Sequence, residues 1–318
     1  MNKLDIIIVN YNSTDYLLKC LRSIYMSLGG DIAVKVHVVD NASKDNINVL
    51  QQKFSHVMLS KNSINIGFAK AVNYAIAKTD APTILLLNPD TMVDKNFFKS
   101  MLAFMEKNPD VGIAGPKIYE SDGTIQGSAR SFPTPMTALF GRNAFMTKFF
   151  PDNRLTRKNI LNSTANGDSP IKVDWISGAC MMVRRKAVED VGLMDENFFM
   201  YWEDADWCRR MVHKAWKVVY YPGASIMHFS GRSSDRNLIQ SVAAFHKSAY
   251  YLFKKYNPDP FGMMRGIVMM GLGVRACFFL ALHGIRRRKM RKNKNCAPVD
   301  SFKQAVEKNV KGIVRSGL

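Results

Sequence analysis

Three short apolar runs, each ending on polar residues, most constrain what this chain can fold into. LDIIIVN spans 4–10, VKVHVVD spans 34–40 and TILLLNPD spans 83–90. Runs of this length, bounded by turn residues, predict buried strands rather than helices. HVMLS at 56–60 predicts a further short strand. Helical patterns lie between them. Tyr16, Leu17, Cys20, Leu21 and Ile24 recur at helical spacing behind Asn12-Ser13-Thr14, which offers N-cap chemistry. GFAKAVNYAIAKT and NFFKSMLAFMEKN predict two more helices, the first opening at Gly67. Strand and helix in alternation predict a doubly wound α/β sheet over roughly the first 115 residues. Such sheets bind ligands outside the carboxyl ends of their strands. Here those ends carry Asn10-Tyr11-Asn12, Asp40-Asn41 and Asn88-Pro89-Asp90, a small-molecule crevice in outline. No G-x-G-x-x-G follows the first strand and no G-x-x-x-x-G-K-[ST] occurs, which disfavours a Rossmann dehydrogenase or a P-loop NTPase.

The pattern changes after residue 120. From about Ser121 to Pro170 the chain is rich in Pro, Gly, Ser, Asn and Arg, which predicts a long excursion able to cover a substrate. VDWISGACMMVRR then resumes strand character, with Gly178 and Ala179 permitting close backbone approach. WEDADWCRRMVHKA predicts a helix, KVVYYP and ASIMHFSG predict two strands, and 234–255 predicts a closing helix.

Charge separates the C-terminal segment from the rest. The formal net charge is +19, and residues 261–318 hold 13 Lys/Arg against 2 Asp/Glu. Within them, 266–285 is apolar over 20 positions apart from Arg275 and His283, and RRRKMRKNK follows. A mid-span arginine costs roughly 2.5–3.5 kcal/mol on insertion scales, so spanning a bilayer is penalised. An apolar segment with a polybasic run instead matches two-signal attachment to an anionic membrane surface. Nucleic acid ranks lower as the anionic partner, because the run lacks interleaved aromatics and no nucleic-acid-binding motif is present. The five scattered cysteines predict neither a disulfide framework nor a zinc site and point to a reducing compartment. The early first strand predicts no secretory signal peptide.

Taken together, IIIVNYNS, VVDNASKD, NIGFAKAVNYAI, ILLLNPDTMV, WISGACMMVRR, DENFFMYWEDADWCRR and HFSGRS resemble, in order and rough spacing, the inverting family 2 glycosyltransferases of the GT-A fold. The branch they look most like is the bacterial rhamnosyltransferase-like one, which builds cell-surface polysaccharides such as cell-wall glycan and O-antigen. The resemblance implies a Rossmann-like mixed sheet flanked by helices over 1–255, with a donor half near 1–120 and an acceptor half near 171–255. Residues 256–318 would form a helical, basic, membrane-associating extension on a cytoplasmic enzyme. It further implies a sugar-nucleotide donor, with dTDP-L-rhamnose favoured over UDP-galactofuranose or a UDP-hexose. The implied acceptor is a polyprenyl-diphosphate-linked sugar or a growing glycan. Asn10, Tyr11, Asn12 and Asp40 would cradle base and ribose, and Asn65, Gly67 and Lys70 would line the nucleotide site. Asn88 and Asp90 occupy the Asp-x-Asp position, with Asn88 in place of the first aspartate. Asp90 and His228 would hold Mg²⁺ or Mn²⁺, and Asp204 would be the catalytic base.

The acids of FFMYWEDADWCRR divide on this basis. Asp206 has Arg209 and Arg210 at i+3 and i+4, which predicts a helix ion pair. Asp204 has no basic residue at those offsets and is expected to meet the acceptor. Glu203, Gly178 and Ala179 would support it, with Trp202 or Trp207 stacking on a sugar. A helix start is expected to favour the ionised form of Asp204, keeping it deprotonated at neutral pH but making it a weak base suited to late proton removal. Purely structural roles compete at several positions: turn or cap residues at Asp40 and Asp90, a core imidazole at His228, a solvated helix residue at Lys70. Two other functions remain open from the residues alone. A sugar-nucleotide pyrophosphorylase would want a Gly-rich basic loop that VNYNSTDY does not supply, and a non-catalytic membrane or nucleic-acid binding module would rest on the tail.

Overall fold

A computed structural model describes residues 2–132, 169–229, 238–259 and 261–292. Most of the expected excursion, at 133–168, lies outside the described residues, as do 230–237 and 293–318.

The elements run β1 (Asn2–Asn10), α1 (Thr14–Ser27), β2 (Ile32–Asp40), α2 (Val49–Lys53), β3 (Met58–Lys61), α3 (Phe68–Ile76), β4 (Thr83–Leu87), β5 (Thr91–Val93), α4 (Phe97–Lys107) and β6 (Val111–Glu120). Beyond them come β7 (Ala129–Arg130), β8 (Ile171–Lys172), β9 (Trp175–Ile176), β10 (Cys180–Arg184), α5 (Arg185–Val191), α6 (Glu203–His213), β11 (Lys217–His228), α7 (Leu238–Tyr256) and α8 (Met263–Lys292). The main sheet has the order β3-β2-β1-β4-β10-β6-β11-β5, with β8 also paired to β11.

Alternate residues of the apolar strands enter two different cores. Ile6, Ile8, Leu85 and Leu87 pack with α1 and α4 on one face. Ile7, Ile84 and Leu86 pack with α3, α5 and α6 on the other. Burial on both faces is why these strands read as unbroken apolar runs. Asp5 is the exception and is wholly buried. Its Oδ2 accepts the N–H groups of Asp80 (2.9 Å) and Ala81 (2.7 Å), and His37 Nε2 lies 3.4 Å from Oδ1.

The first four long strands to pair, β3, β2, β1 and β4, are parallel, as the alternation predicts. The sheet then becomes mixed. β10 inserts antiparallel between β4 and β6, so a strand from the second half of the chain completes the sheet of the first. KVVYYP and ASIMHFSG were expected as two strands and form one. Pro222 and Gly223 fall where the pairing of β11 with β6 shifts register, between Tyr221 and Ser225, a bulge rather than a turn. Similarly, WISGACMMVRR splits at Ser177–Ala179 into β9 and β10.

The chain divides into two compact units, 1–272 and 273–318. The stretch Met263–Leu282 is long and apolar enough to cross a membrane by length and composition. Met263, Ile267, Met269 and Met270 within it are exposed, as is Phe261 ahead of it.

Candidate active site

The ends of β1 and β2 lie side by side, with Asn10 opposite Asp40 in register. Both are buried. Asn10 Nδ2 donates to Asp40 Oδ1 (2.9 Å) and Ser43 Oγ (3.1 Å). The Ser43 hydroxyl donates to Asp40 Oδ1 (2.6 Å) and accepts the N–H of Asn12 (2.8 Å). Asn12 adopts φ 54° and its Oδ1 accepts the N–H of Lys44 (2.7 Å). Ser13 stands at the N-cap of α1 without a side-chain cap bond. The Thr14 N–H goes instead to Asp45 Oδ2 at 2.9 Å. Asn10 is therefore a residue that shapes Asp40 and the Ser43 loop, while Tyr11 and Asn12 stay partly exposed. Beside them a recess of about 450 Å³ is lined by Asp40, Ser43, Asp45, Asn48, Lys61 and Asn62. Sequence reasoning missed Ser43. Its signal was only a small hydroxyl three residues past the strand-end aspartate.

The N-terminus of α3 ties this side to the loop before α6. Asn65 Oδ1 accepts the Gly67 N–H (3.0 Å), and Asn41 Nδ2 donates to Gly67 O (3.0 Å). Gly67 has φ +88°, and a Cβ there would sit 2.5 Å from Phe199 O. Glycine is thus required both by conformation and by space. Phe68 N–H donates to the same Phe199 O at 2.7 Å. Lys70, on the first turn of α3, is exposed.

Asn88-Pro89-Asp90 leaves β4 next to the Ser177–Ala179 break. Asn88 N–H donates to Ala179 O at 2.9 Å. Asp90 is buried, and its Oδ1 lies 3.3 Å from His228 Nε2. The β5–β11 pairing, which sets Thr91 opposite His228, produces this approach. Gln126 reaches His228 Nδ1 at 3.3 Å and donates to Glu120 Oε1 at 2.8 Å. The structure thus brings Asp90 and His228 together from positions 138 apart in number and adds Gln126 and Glu120. Among the described residues, no group of three or more His, Cys, Asp or Glu side chains forms a cluster able to hold a metal ion by itself.

Helix α6 begins abruptly. Tyr201 (φ 69°) and Trp202 (φ 72°) are both left-handed, a conformation costing non-glycine residues about 1–3 kcal/mol each. Glu203 and Asp204 follow as its first residues. Asp204 keeps part of its surface open, and Oδ2 accepts the Gly178 N–H (2.8 Å) while Oδ1 accepts the Ala205 N–H (2.8 Å). Burial pushes its pKa above the usual aspartate value, opposed by those two N–H groups and by the charge of Arg130. The expectation that the helix start makes Asp204 a weak base is corrected here: desolvation outweighs the nearby dipoles. Glu203 is buried with Oε2 lacking any partner. Burial first, and the charge of Asp204 second, hold its pKa well above the usual glutamate value. As the two are coupled, Asp204, bonded by two N–H groups, takes the charge, and Glu203 keeps the proton.

Asp206 lies in a different setting. It is wholly buried and accepts from Arg210 Nε (2.9 Å), Lys255 Nζ (2.7 Å) and Tyr256 OH (2.7 Å). The expected Arg210 pair is present, whereas Arg209 stacks over the Tyr256 ring at 3.9 Å. Lys255 also bridges to Asp195 Oδ2 at 2.7 Å. Burial raises the pKa of Asp195, but bonds from Lys255 and Asn197 outweigh it and bring it down to about 2. The two expected stacking tryptophans also part company. Trp207 is wholly buried, with its Nε1–H on Gly192 O (2.9 Å), and so presents no face to a sugar. Trp202 remains partly exposed and packs against Phe245 (5.3 Å) and Trp175 (6.0 Å). Cys180 and Cys208 are buried packing residues, with thiols pushed up by burial.

The family model described as "Glycosyltransferase like family 2" matches residues 2–244. The chain is similar, at 30% identity over 303 residues, to the N-acetylglucosaminyl-diphospho-decaprenol L-rhamnosyltransferase of Mycobacterium tuberculosis (strain CDC 1551 / Oshkosh); the match covers 91% of this chain and 97% of that protein. In fold it is similar to the mannosyltransferase PcManGT from Pyrobaculum calidifontis, solved with GDP-Man and Mn²⁺. There the TM-score is 0.54 at 13% identity, over 98% of this chain and 80% of the other. GalNAc-T7, solved with UDP, GalNAc and Mn²⁺, gives a TM-score of 0.55 at 12% identity over 86% of this chain, which spans 55% of the GalNAc-T7 chain.

Proposed function

The chain belongs to glycosyltransferase-like family 2, and from that membership we propose that it moves L-rhamnose from dTDP-L-rhamnose to a hydroxyl of a polyprenyl-diphosphate-linked sugar, with inversion, in cell-surface glycan synthesis. The observation that carries this reading is one short chain of contacts. Asp204 accepts the Gly178 N–H, and the next residue, Ala179, accepts the N–H of Asn88, two positions before Asp90. A carboxylate suited to proton removal therefore stands across one backbone loop from a carboxylate–imidazole pair suited to the leaving group.

On this reading Asp204 takes the proton of the acceptor hydroxyl as that oxygen attacks the anomeric carbon from the face opposite the diphosphate. Its partial desolvation makes it a stronger base than an exposed aspartate, and the Gly178 and Ala205 N–H groups hold it in place. Glu203, protonated, adds no second negative charge beside it. Trp202 offers its partly exposed face to the acceptor sugar. On the other side Asp40, Tyr11, Asn12 and the recess past Ser43 receive base and ribose. Asn10 acts by orienting Asp40, and Asn65, Gly67 and Lys70 border the nucleotide.

A divalent cation fits Asp90 and His228. Two neighbouring ligands of an octahedral ion at about 2.1 Å lie about 3 Å apart, close to the 3.3 Å between Asp90 Oδ1 and His228 Nε2. Carboxylate plus imidazole suits Mn²⁺ as well as Mg²⁺, and the amide of Asn88 is a weaker neutral neighbour. When bound, the ion neutralises charge that builds on the departing diphosphate. The exposed apolar side chains in the first part of α8 and the basic run at 286–294 fit attachment to the anionic inner face of a membrane, where a lipid-linked acceptor would lie.

The test is a panel of sugar nucleotides scored by thermal stabilisation with Mg²⁺ or Mn²⁺. A ligand at 100 times its Kd adds about 2.7 kcal/mol, so dTDP-L-rhamnose should raise the transition clearly. A shift given by a UDP-sugar and not by dTDP-L-rhamnose would reassign the donor, and no shift with any sugar nucleotide would remove the reading. Sedimentation of the full chain with anionic but not neutral vesicles, weakened by salt, checks the membrane part.

A further inference from the structure

We infer that Arg130, with Ser128 beside it, recognises a phosphate carried by the acceptor, and so makes the enzyme selective for sugar diphosphates over neutral sugars. The inference rests on the glycosyl-transfer reading above and adds a residue to its acceptor side. It starts from where β7 lies. Ala129–Arg130 pairs antiparallel with β9, Arg130 opposite Trp175 and Ala129 opposite Ile176. One residue further on, Ser177 N–H donates to Ser128 O at 2.9 Å. The following residue is Gly178, whose N–H holds Asp204. Arg130 is therefore delivered to the Asp204 side of the crevice by the same strand pair that delivers the loop gripping the base.

The guanidinium is held in a defined plane. Its Nε–H donates to Gly127 O at 2.8 Å, and the group lies 5.4 Å from the centre of the Trp175 ring. Trp175 in turn leans on Trp202, the residue before the Glu203–Asp204 pair. The charge of Arg130 is felt at Asp204. A planar, oriented guanidinium is the side chain that matches phosphate oxygens in a fork. Ser128 supplies a second observation. It is 2% exposed, and its Oγ has no hydrogen-bond partner. A buried hydroxyl left so is unfavourable, and an oxyanion held by Arg130 and reaching it would offset that.

The position speaks for the acceptor. The leaving diphosphate belongs with Asp90 and His228, whereas Arg130 is tied through Trp175 to the aromatic wall and to Asp204. An anionic acceptor approaching the Asp204 carboxylate meets repulsion between like charges, and a fixed cation at its side cancels that. A neutral glycoside needs no such help.

The experiment compares two acceptors with one donor. One is N-acetylglucosamine diphosphate bearing a short alkyl chain; the other is the neutral alkyl glycoside of the same sugar. Loss of a charge-assisted fork predicts that R130Q lowers kcat/KM on the diphosphate acceptor roughly ten- to hundredfold more than on the glycoside, through acceptor KM. R130K, which keeps the charge without the fork, should recover part of that difference, and S128A should lose a smaller, equally selective share. Equal loss on both acceptors, or a rise in donor KM in place of acceptor KM, overturns the inference while leaving glycosyl transfer intact. A wild-type chain that transfers to neither acceptor overturns the underlying reading and this inference with it.

Discussion

The two sides of the crevice handle charge in opposite ways. Where β1 and β2 end, Asn10, Asp40, Ser43 and Asn12 form one connected set around a single carboxylate, although Asn10 Oδ1 is left without a partner. At the start of α6, two adjacent acids stand among Trp202, Trp207 and Cys208, and one of their oxygens has no partner at all. A single carboxylate bonded by neutral donors holds a surface of fixed hydrogen-bonding pattern, which suits recognition. An under-satisfied, desolvated acid pair has shifted protonation, which suits proton transfer. Even within α6 the contrast recurs across two residues. Asp206 is saturated by Arg210, Lys255 and Tyr256, while Asp204 is held by backbone N–H groups.

Substitutions that strike one side at a time sharpen this contrast. Asp204→Asn should give the largest effect, a loss of about 10²–10⁴ in kcat, with the thermal shift by donor retained. A variant that turns over normally would remove Asp204 as the base. In the wild type, the acid limb of kcat should fall above the usual carboxylate range, because burial raises the pKa of both members of the pair. Asp206→Ala attacks the saturated neighbour. It should destabilise the fold by about 1–3 kcal/mol by removing the buried acceptor shared by Arg210, Lys255 and Tyr256, read as a drop in the denaturation midpoint. Gly67→Ala strikes the joint between the sides. The positive φ and the close approach to Phe199 O should make it unfavourable by about 1–3 kcal/mol, with weaker donor binding.

Glu203→Gln should give the smallest effect, and one of unusual sign. A glutamate whose folded pKa is raised favours folding fully below its unfolded value near 4.3. That contribution is lost as pH rises through the folded pKa. The variant, unable to ionise, escapes the loss. Its unfolding free energy should match the wild type near pH 4 and exceed it increasingly up to the folded pKa, by no more than about 1.4 kcal/mol per pH unit. A constant offset across pH would mean that Glu203 does not titrate with folding.

The fold was legible where neighbours in sequence decide it. Parallel strands buried on both faces must be apolar at consecutive positions, so β1, β2 and β4 announce themselves, and the polar residues at their ends mark the crevice. Asp90 and His228 were paired only through the family resemblance, since nothing local links a strand end to a residue 138 positions later. Lys255 and Tyr256 as partners of Asp206, Ser43 as a hub and Arg130 beside Trp175 carried no local signal either. Trp202 and Trp207 look equivalent in sequence, yet the left-handed turn before α6 sends one to the crevice edge and the other into the core.

By itself, then, the sequence determined the alternation of strand and helix, the strand ends that carry Asp40 and Asp90, the Asp206–Arg210 pair and the charged character of the tail. Each of these follows from periodicity or from spacing within one element. Tertiary structure alone decided that β10 lies antiparallel between β4 and β6, which brings Gly178 and Ala179 to Asp204 and Asn88. It alone decided the protonation of the acid pair as well. Desolvation depends on everything packed around a carboxyl group, and at Glu203 and Asp204 that packing comes from segments far away along the chain.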